Sequence, residues 1–358
     1  MKRIFLTLMI TSLLVGCSSS DNNNSTGPAE YTPSASQLLT ETFTSTALGE
    51  DREVQVYLPP GYDDAEMADS TYALIVFLHG ANSTPENYSG LAKAVIDNAI
   101  NSGAIHNVIV AFPNSRGGVE PFQNPFYTNS VANGDYEDYI INDVINYMDS
   151  NYRTVGTAAE RAIMGHSMGG YGSMTLALKH PDMFAAVASH SGPIDFAPFP
   201  ALIPAVLQEQ GGQAPYTFTT IDTSTVFTFL SWSMATAFSP DLDAPFFSAD
   251  FPIDSDGNFD QAVFDRWLTH DPSIIAVQQS ANISNLGIYF DCGSEDELGV
   301  YPMDVAFDSV LTANSIAHTW QSYSGTHTSG LLTRFPVSLA FLDAAMHPAM
   351  ATMAFASR

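Results

Sequence analysis

Ala162-Ile163-Met164-Gly165-His166-Ser167-Met168-Gly169-Gly170-Tyr171-Gly172 decides the reading of this chain: an apolar strand end, a turn of glycines around one serine, then the start of a helix. Gly165 and Gly169 stand two residues before and after Ser167. Lacking Cβ atoms, they let strand and helix backbones nearly touch while the serine is lifted onto a sharp turn. A serine hydroxyl is a weak nucleophile, and such a turn is where a histidine can reach its oxygen. Met174, Leu176, Ala177 and Leu178 predict a helix packed on a sheet, ending near Lys179-His180-Pro181. Its N-terminus, with free N–H groups and a helix dipole, favours negative charge developing beside Ser167.

Outward from the serine, strand and helix alternate. Glu41 to Leu48 and Arg52 to Pro59 read as antiparallel edge strands, the second with Val54, Val56 and Leu58 inward and Glu53 and Gln55 outward. Ala73 to Leu78 is apolar throughout, as a central strand covered on both faces must be, and it runs into His79-Gly80-Ala81-Asn82. A helix over Leu91 to Ser102, a buried strand over Val108 to Phe112 and a helical run through Ile140, Ile141, Val144, Ile145 and Met148 lead up to the serine. Beyond it, strands are predicted over Phe184 to Ser189, Leu286 to Phe290 and Ala317 to Tyr323, and helices over Pro302 to Ala313 and Leu331 to Met346. This is the pattern of an α/β fold with a mostly parallel central sheet and helices on both faces, whose functional groups gather at the carboxyl ends of the strands.

Between about 195 and 280 the alternation stops. The segment is rich in Pro and Phe, among them Phe196, Phe199, Phe218, Phe227, Phe229, Phe238, Phe246, Phe247 and Phe251. It reads as an insertion over the site, most of its rings forming a small core of their own and the remainder lining an apolar pocket.

With 358 residues and 45% hydrophobic content, the chain can build one large domain carrying that insertion over residues 37–358. Met1-Lys2-Arg3 followed by the apolar run Ile4 to Val15 has the charged and hydrophobic regions of a secretory signal, and it is too short to span a bilayer. Leu14-Val15-Gly16-Cys17 resembles the bacterial lipobox, so residues 1–16 are expected to be a lipoprotein signal peptide and Cys17 the lipidated first residue. Ser18 rather than Asp after that cysteine points, in a Gram-negative cell, to the outer membrane. Residues 17–36 have almost nothing to bury and predict a flexible tether. The expectation is an exported protein of the cell envelope that touches membrane through its lipid alone. Thirty-eight acidic residues against eleven basic ones give a formal charge of -27, which argues against nucleic acid and anionic lipid as partners. Cys292 is left without a disulfide partner and reads as a small buried residue beside the site.

Serine chemistry of this kind needs an acid and a histidine in loops after later strands. Asp296 and His327 occupy such positions in the required order, with Asp291 and Glu295 as rivals for the acid. His327 would act as general base and Asp296 would fix its tautomer. The backbone N–H groups of Met168 and Ala81 are the candidate donors to an oxyanion, while His79 and His166 read as packing or hydrogen-bonding residues. No metal or organic cofactor is expected. Asp254-Ser255-Asp256-Gly257-Asn258-Phe259-Asp260 has the alternating oxygens of part of a calcium loop but lacks the distal Glu, and it reads as a solvated turn.

Three stretches carry a family resemblance: Asp149 to Thr154, Arg161 to Gly172, and Lys179-His180-Pro181-Asp182-Met183-Phe184. With Asp291-Cys292-Gly293-Ser294-Glu295-Asp296-Glu297-Leu298 and Gly325-Thr326-His327, they resemble the esterase D branch of the α/β-hydrolases over about 40–195 and 285–345. That branch holds S-formylglutathione hydrolases, tributyrin and feruloyl esterases, and mycolyltransferases. The resemblance implies an α/β-hydrolase fold, Ser167, Asp296 and His327 as catalytic triad, and Ala81 and Met168 as oxyanion donors. It implies a serine ester hydrolase working through an acyl-serine intermediate on small-molecule or polysaccharide esters such as acetyl or feruloyl groups. The alternatives are acyl transfer to an alcohol other than water, and a non-catalytic envelope binding protein.

Overall fold

One sheet carries the architecture. In chain order its strands are β1 (Gln37–Ser45), β2 (Glu50–Leu58), β3 (Ala73–Leu78), β4 (Val108–Pro113), β5 (Arg161–His166), β6 (Ala186–His190), β7 (Gly287–Gly293) and β8 (Thr319–Tyr323). Side by side they run β1-β2-β4-β3-β5-β6-β7-β8. β1 and β2 form an antiparallel hairpin and β2 meets β4 antiparallel, whereas every pair from β4 to β8 is parallel. The computed structural model describes residues 31–348 apart from 220, 222 and 223. The expected signal peptide and Cys17 lie outside the described residues. The chain divides after Pro33, and everything below concerns the unit that begins at Ser34.

The helices are α1 (Glu86–Asn101), α2 (Ile145–Asn151), α3 (Met168–Lys179), α4 (Ile203–Glu209), α5 (Val226–Phe238), α6 (Gln261–Leu268), α7 (Pro272–Gln278), α8 (Tyr301–Ala313) and α9 (Leu331–Met346). Alternation along β3 divides the core. Ile75 and Phe77 join Ala92 and Ile96 of α1 and Phe335 and Leu339 of α9 on one face. Leu74, Val76 and Leu78 join Met174 and Leu178 of α3 and Phe307 of α8 on the other. A strand covered on both faces needs apolar residues at every position, which is why all six residues of β3 are buried.

Two sequence expectations change. Gln55 was expected to face outward, but β2 is covered by α1: Gln55 is buried and its amide donates to Glu86 at 2.8 Å and accepts from Ser89. Hydrogen bonding within the interface offsets the cost of burying that amide. The rings of the insertion pack partly on one another and partly on the main core, with which they are continuous. Phe196 and Phe238 pack on Tyr171 of α3 with centroids 5.7 and 5.3 Å apart, and Phe238 packs on Phe126, so they extend the main core. Phe218 and Phe251 close around Trp232 of α5, Phe251 stacking at 4.4 Å, while Phe246 is exposed. In the 254–260 turn, Asp254 is turned onto its own backbone, accepting from the amides of Asp256 and Asn258, and Asp260 caps α6.

Candidate active site

Ser167 lies between β5 and α3 with φ 57° and ψ −121°. A non-glycine residue held at such positive φ stores about 1–3 kcal/mol of strain, kept only where its surroundings allow nothing else. They do not here: a Cβ on Gly165 would come 2.3 Å from the Gly169 carbonyl oxygen, and one on Gly169 2.0 Å from that of Leu78. Ser167 N donates to the His190 carbonyl at 2.9 Å and its own carbonyl accepts from Tyr171 N at 3.0 Å, closing the turn from both sides.

Two loops meet the hydroxyl. The loop after β8 sets His327 Nε2 2.9 Å from Ser167 Oγ, and the loop after β7 sets Asp296 Oδ2 2.7 Å from His327 Nδ1. The rival acids are engaged elsewhere. Asp291 Oδ1 meets His190 Nδ1 at 2.9 Å, and Oδ2 accepts from Tyr289 and from Arg334 Nε. Glu295 accepts from Ser324 at the surface. Glu297, which no sequence signal singled out, accepts the His327 backbone N–H at 3.0 Å. Burial pushes the Asp296 carboxyl up, but the hydrogen bond and charge of His327, the Leu298 amide and the Cys292 thiol together hold it below its ordinary value.

Behind Asp296 sits a buried pair. Cys292 is fully buried with Sγ 3.4 Å from Asp296 Oδ2, and burial pushes its thiol far up. Asp304 of α8 is buried too, and neither of its oxygens makes a hydrogen bond. Burial raises its carboxyl well above the ordinary range, which the nearby thiol offsets only in part.

Hydrogen bonds from three distant segments, around Tyr88, Ser115 and Asn124 to Tyr127, hold the 79–82 loop. His79 Nε2 accepts from Ser115 N at 3.0 Å, so Nδ1 carries the proton and donates to the Gly80 carbonyl at 2.9 Å. Burial pushes His79 down to about 4, in keeping with a neutral ring. Tyr127 donates to the His79 carbonyl, Gly80 N donates to Tyr88 Oη, and Asn82 N donates to Asn124. Ala81 N and Met168 N, by contrast, find no acceptor among the described residues, and both residues line the same cleft as Ser167.

His166 ties this loop to the histidine loop. Its Nδ1 accepts from Tyr88 Oη at 2.9 Å, and its Nε2 donates to the His327 carbonyl at 3.0 Å. Burial, with the His327 charge second, lowers it to about 3, so it works as a neutral strut. Tyr88, Tyr127 and Asn124 carried no motif that could mark them.

The cleft over Ser167 encloses about 550 Å³ including its mouth. One wall is a single face of α5: Phe227, Leu230, Ser231 and Met234 recur at helical spacing. Glu209 of α4 fixes that helix, accepting the Phe227 and Thr228 amides at its N-terminus. Phe199 and Leu202 form a second wall, and Leu298, Val300 and Met303 a third. Apart from Ser167 and His327, Ser231 supplies the cleft's one polar side chain among the described residues.

The molecule also contains a second series of the same residue types. Ser338 Oγ is 3.0 Å from His190 Nε2, and His190 Nδ1 is 2.9 Å from Asp291 Oδ1. All three residues are almost completely buried, and Ser338 Oγ already donates to the Phe335 carbonyl within α9.

The Esterase family model matches residues 45–331. Esterase MT1326 of Mycobacterium tuberculosis is 28% identical over 155 residues, which is 42% of this chain and 31% of that protein. An endo-1,4-beta-xylanase/feruloyl esterase of Xylanibacter ruminicola is 30% identical over 149 residues, 40% of this chain and 20% of that protein. The chain therefore spans less than a third of the length of these curated relatives. A solved ferulic acid esterase superposes with a TM-score of 0.63 at 19% identity, over 88% of this chain and 100% of that one. This likeness is one of fold, and the fold is that of the α/β-hydrolases. Since the family model covers well over half of its length, the chain belongs to the Esterase family.

Proposed function

We propose that this chain hydrolyses carboxylic esters with Ser167 as nucleophile, His327 as general base and Asp296 as the acid that orients and charges-balances the imidazole. The observation that carries the proposal is the continuous Asp296–His327–Ser167 series ending at a strained serine in an apolar cleft with two unpaired N–H groups. Ser167 Oγ attacks the ester carbonyl carbon as His327 Nε2 takes its proton, and the resulting oxyanion is received by Ala81 N and Met168 N. His327 returns the proton to the leaving alkoxide, releasing the alcohol and leaving acyl-Ser167. Water, deprotonated by His327, then attacks the acyl carbon; the carboxylic acid departs and Ser167 regains its proton.

The walls of the cleft favour an apolar acyl group, aromatic or of modest chain length. Feruloyl esters are the favoured aromatic case, supported by the ferulic acid esterase of like fold and by the xylanase/feruloyl esterase relative. The leader and Cys17 support export as an envelope lipoprotein, where plant-polymer esters are within reach.

Hydrolysis of p-nitrophenyl acetate, butyrate and octanoate, methyl ferulate and acetylated xylan by the domain from Ser34 tests the substrate class. Turnover of methyl ferulate above the simple esters is expected. Equal turnover of all chain lengths with none of ferulate would restrict the reading to simple acyl esters. Failure of a fluorophosphonate probe to label Ser167 would remove the nucleophile assignment itself.

A further inference from the structure

At the opposite end of the parallel strands from Ser167, where the chain enters β4 and α9 ends, ligand-type side chains converge from three segments. His106 Nδ1 lies 3.0 Å from both carboxylate oxygens of Asp343, and His347 Nδ1 lies 3.3 Å from Asp343 Oδ1. One ligand atom from each of the three can be chosen so that all lie within 4.8 Å of one another. The two imidazole rings lie with centroids 4.2 Å apart, tilted by 31°, and Glu160 Oε2 lies 3.2 Å from His347 Nε2.

Both nitrogens of His347 face oxygens. Nε2 faces Glu160, while Nδ1 faces both Asp343 Oδ1 and the Asp343 backbone carbonyl, the latter at 3.0 Å. A neutral imidazole has a single N–H. With that proton on Nε2 and donated to Glu160, the Nδ1 lone pair is left to ligate a cation beside Asp343, whereas an imidazolium would instead donate at both nitrogens. A carboxylate receiving the far N–H of a ligating histidine is the arrangement that fixes tautomer and ring orientation at metal sites. The spacing agrees: bonds of about 2.1 Å to one ion place ligand atoms about 3.0 Å apart at a right angle and about 3.4 Å apart at the tetrahedral angle.

We propose that His106, Asp343 and His347 bind one divalent transition-metal ion of the zinc class, with Glu160 holding His347 in its ligating tautomer. Two imidazole nitrogens with one carboxylate favour such an ion over calcium or magnesium, which prefer all-oxygen ligation. The ion fastens the end of α9 to the segment leading into β4, so its role is structural and separate from ester hydrolysis.

Equilibrium dialysis of the purified chain against micromolar zinc, with bound metal counted by atomic emission, tests this beside thermal unfolding with and without the ion. One zinc per chain is expected, with a higher unfolding temperature that magnesium does not reproduce. His106→Gln and His347→Gln should each weaken zinc binding by about tenfold or more, and Glu160→Gln should weaken it less. Ester turnover by the variants reports that they are folded. No binding at micromolar zinc, zinc stoichiometry unchanged in the His106→Gln/His347→Gln double variant, or an equal effect of magnesium would each overturn the proposal.

Discussion

Ser167–His327–Asp296 and Ser338–His190–Asp291 are the same three residue types joined at nearly the same distances, 2.9 and 2.7 Å in one series and 3.0 and 2.9 Å in the other. What separates them is everything around those distances. Ser167 sits at a strained turn, lines an open apolar cleft and has two unpaired N–H groups for neighbours. Ser338 lies inside a helix, fully buried, its hydroxyl already given to a carbonyl. Asp296 serves one histidine and two local donors; Asp291 is saturated by His190, Tyr289 and Arg334. Hydrogen-bond distance alone therefore does not make a nucleophile. Access, strain and a place for the developing charge do.

The comparison can be broken in four ways. The largest expected effect is from Ser167→Ala, which should lower turnover of a chromogenic ester by about 10⁴-fold or more while leaving thermal unfolding nearly unchanged; a comparable loss in Ser338→Ala would erase the distinction. The two acids should then part company. Asp296→Asn should cost about 10⁴-fold in kcat with little change in stability, because the imidazole loses its orienting partner. Asp291→Asn should cost roughly 3–5 kcal/mol in denaturant unfolding by leaving the half-buried Arg334 and the buried His190 without their carboxylate, with turnover per folded molecule nearly intact.

Third comes a pH signature from the unpaired carboxyl behind the site. Asp304 has its folded pKa raised above the ordinary 3.8, so the unfolded chain releases this proton first. Stability is therefore lost as pH rises from about 4 toward the folded value. Asp304→Asn should consequently raise the unfolding temperature near neutral pH and leave it unchanged at acid pH; a gain independent of pH would mean that Asp304 is already ionised in the fold. The smallest effect belongs to Ser338→Ala, expected to cost about 1 kcal/mol of stability for its lost hydrogen bonds and to leave kcat/KM unchanged.

Much of this was legible in the residues, for reasons that differ by region. The turn around Ser167 is set by local sterics, so the glycines announce it, and the bounds of α9 follow directly from its apolar run. The order of loops favoured Asp296 but left Asp291 and Glu295 as rivals, because what engages those two, Arg334 and Ser324, is fixed only in space. Gln55 misled because its covering partner belongs to α1, which begins at Glu86 rather than near Leu91. The helices of 195–280 left little periodic trace: α5 is apolar nearly all round, since one face lines the cleft and the others enter the core. The residues bracing the 79–82 loop come from positions up to 48 apart in sequence and carry no spacing rule at all.

One line of hydrogen bonds has a consequence for how the site keeps time with its chemistry. From Gly80 N through Tyr88 Oη and the two nitrogens of His166 to the His327 carbonyl, the arm proposed to receive the oxyanion and the arm proposed to move the proton are joined through neutral groups. Neither can drift without displacing the other, so the two perturbations should be strongly non-additive: Tyr88→Phe and His166→Phe together should slow turnover little more than either alone. Reorganisation that would otherwise recur at each catalytic cycle is completed once, when the chain folds.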